Sequence, residues 1–291
     1  EFTKEDIYKD AESFRTVFKN MLSSLFPANL IQELRSMSYG NHPDILIING
    51  FPQDEVQYPN RSKLYSVKEK VSFKSTIYSE ACLLAISSYL GDVLYTHPES
   101  LHSSHIHHMT PDPAHIGKPN GIGTKGFHLH VEGGMYDPLI RFLALIGIEG
   151  DLTSKTVFLH NSDILEGFNE NDLKSLLFDY HAGPEFKNPF VLRSPIVSYD
   201  SDGYCQVRLY ENSSDSTRPQ QMYATCEKSK QLLDAIQVKI QELKKTDKYI
   251  RLSLQPGQLV VFNNGISKGR IGGVLHTREG DIQNMNRFFQ R

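Results

Sequence analysis

Apolar residues recur at helical intervals in the first part of the chain and then give way to shorter apolar runs. Ile7, Phe14 and Phe18 fall on one face of a 3.6-residue repeat, which predicts helices over the first forty residues. The run 44–49 is apolar and is closed by glycine and proline, which predicts a short buried strand. Residues 67–90 return to helical spacing, so one long helix is expected there.

Strand patterns dominate the middle of the chain. Residues 126–131, 142–147 and 156–160 are expected to be strands, and 195–199 with 206–210 a hairpin. A broad apolar face between 225 and 245 predicts a long helix after them. Helices that frame strands in this way predict a mainly β fold with flanking helices.

The 291 residues contain no internal repeat and no low-complexity linker, so a single domain over 1–291 is predicted. Its helical N-terminal region, about 1–90, is expected to pack on the β core. Residues 161–190 are expected to form a lid or insert. Residues 92–126 are polar and rich in Pro, Gly and His, which is typical of a long functional loop.

Charge and composition exclude several classes of protein. With 31 Lys and Arg against 34 Asp and Glu, the net charge is −3, and the basic residues are scattered, so neither a nucleic acid nor a membrane is the expected partner. The longest apolar run, 139–148, is shorter than the roughly 18 residues that cross a bilayer. The opening Glu1-Phe2-Thr3 has no Met and no charged-then-apolar leader and says nothing about targeting, so a cytoplasmic location is the default expectation. The sequence does not indicate an oligomeric state.

Three potential metal ligands alternate within Phe127-His-Leu-His-Val-Glu132. A strand repeats every two residues, so His128, His130 and Glu132 are expected on one face. Two imidazoles and a carboxylate are a metal-ligand set, although an isolated motif of this kind is more often a solvated strand face. His128 is expected to lie just outside the ligand set.

The C-terminal region adds a third candidate ligand. His276 follows apolar residues, and Arg287 and Arg291 come near the chain end. Two His and one carboxylate on one face of iron(II) leave three positions for a bidentate 2-oxo acid and O2. The far carboxylate of such an acid needs a cationic clamp, for which Arg is well suited.

Taken together, these motifs resemble a known enzyme superfamily. In chain order they are the His-Leu-His-Val-Glu motif, the strand beginning at Arg141, Thr156, the run Pro256–Asn264, Leu275-His-Thr-Arg278 and the final Asn286–Arg291. This order is similar to that of the clavaminate synthase and taurine dioxygenase-like superfamily of iron(II)/2-oxoglutarate oxygenases. The Glu in the first motif resembles the branch with asparagine and arginine hydroxylases. The resemblance implies a double-stranded β-helix, or jelly-roll, core.

The resemblance also implies roles for individual residues. His130 and Glu132 match the proximal iron ligands and His276 the distal one. Arg287 matches the clamp for the C5 carboxylate of 2-oxoglutarate, with Thr156 supporting that carboxylate. Arg291 matches a second arginine that faces the cosubstrate or the substrate, and Arg208 is a further candidate for a substrate carboxylate.

One element departs from the pattern. Relatives of this branch show His-Gly-Arg soon after an Asn-Asn turn, whereas Lys268-Gly-Arg270 stands near that place here. If Lys268 occupies the ligand position, the metal site is degenerate, because an ammonium group has no lone pair to offer. If His276 is the equivalent, the triad is complete; this second alignment is the one adopted.

The expected activity is oxidation of an unactivated C–H bond in a free amino acid or a small molecule derived from one, with Fe(II), 2-oxoglutarate and O2. Hydroxylation is the expected outcome, and desaturation or cyclisation stays open. Two rival hypotheses remain: a non-catalytic binding protein of the same fold, and a zinc hydrolase with the same three ligands.

Overall fold

A computed structural model of the protein describes residues 4–40, 43–60, 65–91, 105–118, 123–150, 154–181, 190–212 and 221–280. Over these ranges the helices are α1 (Lys4–Lys9), α2 (Ala11–Leu22), α3 (Ala28–Ser38), α4 (Val67–Phe73), α5 (Tyr78–Leu90), α6 (Asn161–Leu165), α7 (Glu170–Ser175) and α8 (Glu227–Leu243). The strands are β1 (Ile45–Ile48), β2 (Phe142–Ile146), β3 (Lys155–His160), β4 (Leu177–His181), β5 (Phe190–Pro195), β6 (Val197–Tyr199), β7 (Tyr204–Val207), β8 (Gln221–Ala224), β9 (Ile250–Leu252), β10 (Leu259–Asn263), β11 (Ile266–Lys268) and β12 (Val274–Glu279).

The described strands form four antiparallel sheets of three strands each. Their orders are β1-β10-β2, β12-β3-β9, β5-β4-β8 and β11-β7-β6. Neighbouring strands in these sheets are often distant in sequence, so long connections join them. Helices flank the sheets, which makes the fold a mixture of helix and antiparallel sheet.

Two of the sheets enclose a common apolar core. Phe158 and Val274 of the sheet β12-β3-β9 pack against Val260 and Phe262 of the sheet β1-β10-β2. We call the side of each sheet that faces this core its inner face. The Phe158 and Phe262 rings meet edge to face, with centroids 5.1 Å apart.

The outer faces of the same two sheets are covered by helices. Leu34 of α3 and Ile86 of α5 cluster with Val261 of β10. Val157 of β3 clusters with Ile240 of α8 on the other side. Each such side chain removed from water contributes roughly 1.5–3 kcal/mol to folding, so the helices stabilise the sheets that carry the site.

The helix predicted over 225–245 runs from Glu227 to Leu243 as α8. Its buried side chains recur every three or four residues, at Leu233, Ile236, Ile240 and Leu243. The thiol of Cys226 accepts a hydrogen bond from the Ser229 N–H and caps the first turn. The apolar face therefore packs on the sheet while the opposite face stays in solvent.

The prediction of one helix over 67–90 was wrong, because the chain forms α4 and α5 with a break between them. Lys74 has extended backbone angles and pairs with Val56 in an isolated bridge. The Asp54 carboxylate then accepts hydrogen bonds from the Thr76 hydroxyl and the Tyr78 N–H, at 2.7 and 2.8 Å. A side chain from outside the helix thus defines where α5 begins.

A partly buried chain of hydrogen bonds joins α1 and α5 to the segment 105–118. The Tyr8 hydroxyl donates to the Glu80 carboxylate, and His108 Nε2 lies 2.5 Å from the Tyr8 oxygen. Lys74 pairs with Glu80 and with Asp54, the latter at 3.0 Å. Since the Tyr8 proton is given to Glu80, His108 Nε2 is the donor to Tyr8, which requires a proton on Nε2.

Several predicted segments extend beyond the described residues. The loop predicted over 92–126 is described only in part, and so is the lid or insert predicted over 161–190, whose described part forms α6, α7 and β4. Its role as a lid stays a prediction. Within the described ranges, no helix combines the length and apolar character needed to cross a membrane.

Candidate metal centre

His130 and His276 lie directly opposite each other on adjacent antiparallel segments. The His130 N–H donates to the His276 carbonyl and the His276 N–H donates to the His130 carbonyl, both at 3.0 Å. Residues that exchange both backbone hydrogen bonds present their side chains on the same face. The two imidazole rings accordingly have centroids 4.7 Å apart.

Only His130 of the predicted strand 126–131 forms strand-like bridges, one to His276 and one to Tyr210. The expectation of a regular strand over 126–131 was therefore wrong. After Glu132 the chain turns at Gly133, which has a φ of +62°. The segment 126–131 therefore pairs with its two neighbouring segments only at His130, through the bridges to His276 and Tyr210, and these bridges are enough to orient His130.

Glu132 completes a group of three potential ligands. Its Oε2 lies 3.3 Å from His130 Nε2 and 4.0 Å from His276 Nε2. The ligand atoms of the three residues all lie within 4.8 Å of one another, and no other group of three potential metal ligands occurs in the described ranges. The side chain of Glu132 is 38% exposed and that of His276 only 11%, so the centre opens on the Glu132 side.

The three residues fit a divalent metal ion. Ligand bonds of about 2.1 Å separate two ligand atoms by roughly 3.0–3.4 Å, so small side-chain movements would close the set. His276 Nε2 is buried and has no hydrogen-bond partner among the described residues, which leaves its lone pair for a metal. His130 Nδ1 lies 2.8 Å from the His128 carbonyl oxygen, which leaves its Nε2 for the same purpose.

The electrostatics favour the metal-binding protonation states. Burial, reinforced by the His130 charge, lowers the pKa of His276 to about 3, although Glu132 opposes this. Burial alone would raise the pKa of Glu132, but the hydrogen bond and charge of His130, with the charges of His276 and His107, lower it to about 2. At neutral pH the site thus offers a neutral imidazole and a carboxylate anion, as metal binding requires.

A residue without a role in the sequence-based expectations holds Glu132 in place. Asn264 is fully buried, and its Oδ1 accepts from the Glu132 N–H at 2.7 Å. Its Nδ2 donates to the carbonyl oxygens of Glu132 and Ile140, at 2.8 and 2.9 Å. The Asn263-Asn264 pair was visible in the sequence as a landmark, but nothing there indicated that Asn264 would hydrogen bond to the backbone of a candidate ligand residue.

Thr156 lies on the same sheet face as His276. In the pairing of β3 with β12, Phe158 is opposite His276 and Thr156 is opposite Arg278, so all four side chains share the inner face. The Arg278 guanidinium donates to the carbonyl oxygens of Gly123 and Lys125, at 2.7 and 3.0 Å. Arg287 and Arg291 lie outside the described residues, and their roles stay predictions.

The structure brings His276, and not Lys268, together with the other two candidate ligands. Lys268 is exposed at the end of β11, with its ammonium group 5.6 Å from the centre of the Tyr204 ring. It is not part of the ligand group, whereas His276 is. The argument for a degenerate site rested on a lysine in the ligand position, and this premise is not met.

Arg208 was wrongly assigned as a candidate for binding a substrate carboxylate. It is 3% exposed, and its Nη1 donates to the carbonyl oxygens of Gly134 and Tyr136, at 3.1 and 2.5 Å. Its Nη2 donates to Asp137 and Gln206. Arg208 therefore supports the turn that follows Glu132.

Comparison with known proteins gives likenesses in structure but not in sequence. No protein-family model matches the chain, and a comparison with the curated proteins finds no match. An asparagine oxygenase solved with Fe(II), 2S,3S-3-hydroxyasparagine and succinate superimposes with a TM-score of 0.65 at 16% identity, covering 91% of this chain and 77% of that one. The non-heme iron oxygenase OrfP, solved with Fe, succinate and (3R,4R)-dihydroxy-L-Arg, gives 0.65 at 14% identity, covering 94% and 81%.

These likenesses extend over almost the whole described fold and confirm, for the fold, the resemblance predicted from the sequence. At identities of 14 to 16% they establish a shared architecture rather than a shared activity. The chain has the fold of the asparagine oxygenase and of OrfP.

Proposed function

We propose that this protein is an iron(II)- and 2-oxoglutarate-dependent oxygenase that hydroxylates a free amino acid or a small molecule derived from one. The observation that carries the proposal is the convergence of His130, Glu132 and His276 from two separate segments, with ligand atoms within 4.8 Å of one another. Two imidazoles and one carboxylate are the set that suits non-heme iron(II) and leaves positions open for reactants.

Each ligand has a definite task in this proposal. His130 and His276 would supply neutral nitrogen donors, and Glu132 would offset one of the two charges of the metal ion. Iron(II), 2-oxoglutarate and O2 together would supply the oxidising power for an unactivated C–H bond. The Phe127 ring lies 5.1 Å from the His130 ring, and the Phe262 ring lies 4.7 Å from the His276 ring, measured between centroids. The two phenylalanines would help keep water from the buried side of the site.

The strand register supports the proposed position of the cosubstrate. Thr156 is two residues along β3 from Phe158, the partner of His276, which is about 6.7 Å along the strand. A five-carbon dicarboxylic acid that chelates a metal through its 2-oxo end reaches about this far with its second carboxylate. We assign Thr156 to support that carboxylate, Arg287 to clamp it, and Arg291 to the cosubstrate or the substrate.

The substrate class and the finer architecture belong to the same proposal. The asparagine oxygenase and OrfP were solved with hydroxylated asparagine and arginine, and an amino acid is accordingly the first substrate class to test. We further propose that the four antiparallel sheets build a double-stranded β-helix, or jelly roll, within a single domain, and that the protein acts in the cytoplasm.

The test is turnover with a panel of free L-amino acids that includes asparagine and arginine. With Fe(II), 2-oxoglutarate and O2, we expect one of them to gain a single oxygen atom by mass spectrometry, with succinate formed in equal amount. His276→Ala should abolish both products because it removes one of the three ligands. Succinate formation that is independent of Fe(II), or of His276, would contradict the proposal.

A further inference from the structure

One peptide group beside the metal centre is hydrogen bonded at both ends. The carbonyl oxygen of His128 lies 2.8 Å from His130 Nδ1, and the N–H of Leu129, on the same peptide, donates to Glu211 Oε2 at 3.1 Å. A carbonyl oxygen can only accept, so His130 Nδ1 carries the proton and Nε2 carries the lone pair. The peptide between His128 and Leu129 therefore connects the Glu211 carboxylate to the His130 imidazole.

Glu211 is a buried carboxylate with several donors. Its side chain is 3% exposed, and its Oε1 accepts from Gln241 Nε2 at 2.7 Å and from Lys244 Nζ at 2.6 Å. Burial alone would raise the pKa of Glu211, but the His128 imidazole, with Nδ1 3.6 Å from Oε2, and the hydrogen bond and charge of Lys244 lower it to about 2. A negative charge is therefore maintained at the N–H end of the peptide.

The contact between Glu211 and this peptide is fixed by the backbone as well. The Glu211 N–H donates to the Leu129 carbonyl oxygen at 2.8 Å, so Leu129 is bonded to Glu211 through both its N–H and its C=O. Gln241 lies on α8, and Lys244 is the first residue after this helix. The hydrogen bonds of Gln241 and Lys244 therefore fix Glu211 to the helix that covers the outer face of the sheet.

A carboxylate in this position changes the peptide that it binds. A negative charge at the amide N–H shifts electron density toward the carbonyl oxygen, and hydrogen bonds in series strengthen one another. A stronger acceptor at His130 Nδ1–H makes the imidazole more electron-rich at Nε2. In metal sites, the partner of the second histidine nitrogen orients the ring and raises its basicity as a ligand.

We propose that Glu211 is a positioning residue for the metal centre, acting on His130 through the His128–Leu129 peptide, with Lys244 moderating its charge. The inference rests on the proposed metal-binding function. It differs from a purely structural role for Glu211 in one respect. If the charge of Glu211 matters, removal of Glu211 and removal of Lys244 change metal affinity differently, although both break the same ion pair.

The test uses Co(II) and Zn(II) as probes on the full chain. Glu211→Gln should weaken Co(II) binding about tenfold, the lower end of the range for direct partners of ligand histidines. Lys244→Met should leave Co(II) affinity equal or higher, because Glu211 loses its counter-charge and polarises the peptide more. In the Zn(II)-loaded protein, the proton resonance of His130 Nδ1–H should move upfield in Glu211→Gln.

Controls separate this effect from general loss of stability. Lys228→Met removes another α8 ion pair, Lys228 with Asp172 at 2.5 Å, and should change neither readout. If Glu211→Gln does not fold, the double variant Glu211→Gln/Lys244→Met removes both charges, and the same tenfold weakening is expected. Equal weakening by Glu211→Gln and Lys244→Met, or no weakening by the Glu211 variants, would overturn the inference. Failure of the wild type to bind Co(II) would overturn the proposed function as well.

Discussion

The Asn264 side chain holds the backbone of Glu132 at both its N–H and its carbonyl oxygen, so its removal tests how the carboxylate ligand is positioned. Asn264→Ala leaves one N–H and two carbonyl oxygens without their partner, in a place that is fully buried. At about 1 kcal/mol for each lost hydrogen bond, the free energy of unfolding should fall by about 3 kcal/mol. For a chain of 291 residues that corresponds to a Tm lower by roughly 5 °C.

The same substitution should affect metal binding beyond its effect on stability. Without the hydrogen bonds from Asn264, Glu132 is free to leave the ligand group, and Co(II) should bind about 10–100-fold more weakly. Asn161→Ala is a matched control, since Asn161 is also fully buried and donates to the Gly272 carbonyl at 3.0 Å, without touching a ligand residue. It should lower Tm and leave Co(II) affinity unchanged. An Asn264→Ala protein that binds Co(II) like the wild type would refute the idea that Asn264 positions Glu132 for metal binding.

Three further predictions concern other parts of the molecule. Burial lowers the pKa of His108 to about 4 in the folded state, whereas the unfolded imidazole takes up its proton near pH 6.5. The free energy of unfolding should therefore fall by ~1.4 kcal/mol per pH unit as the pH drops from 6.5 to 4. In urea unfolding, His108→Gln should flatten this dependence on pH. Arg287→Ala should raise the 2-oxoglutarate concentration for half-maximal turnover about 30-fold or more, and unchanged turnover at low cosubstrate would contradict the clamp. Arg208→Met should cost about 3 kcal/mol in thermal unfolding without raising the KM for the amino acid, because Arg208 supports a turn.

The parts of the site that the sequence predicted depend on short spacing and on motif order. His130 and Glu132 are two residues apart, so a near-extended chain brings them together without knowledge of the fold. His276 was identified through the resemblance, since no local pattern connects residues 130 and 276. That Lys268 lies apart from His130 and Glu132 could be seen only once the strand pairing was known.

The supporting residues could not be predicted in this way. Asn264 and Glu211 bind backbone groups of the ligand segment, although both lie more than eighty residues further along the chain. Any backbone N–H or carbonyl would serve as their partner, so neither the ligand motif nor its spacing indicates them. The break between α4 and α5 escaped prediction for the same reason, because Asp54, outside both helices, caps α5.

The most direct test of the central claim is anaerobic titration of the metal-free protein with Fe(II) and 2-oxoglutarate, followed by the visible charge-transfer band of the chelate. We predict the band in the wild type and in Lys268→Ala, and its loss in His276→Ala, since His276 and not Lys268 lies with His130 and Glu132. Absence of the band in the wild type, or its persistence in His276→Ala, would contradict the assignment of this site.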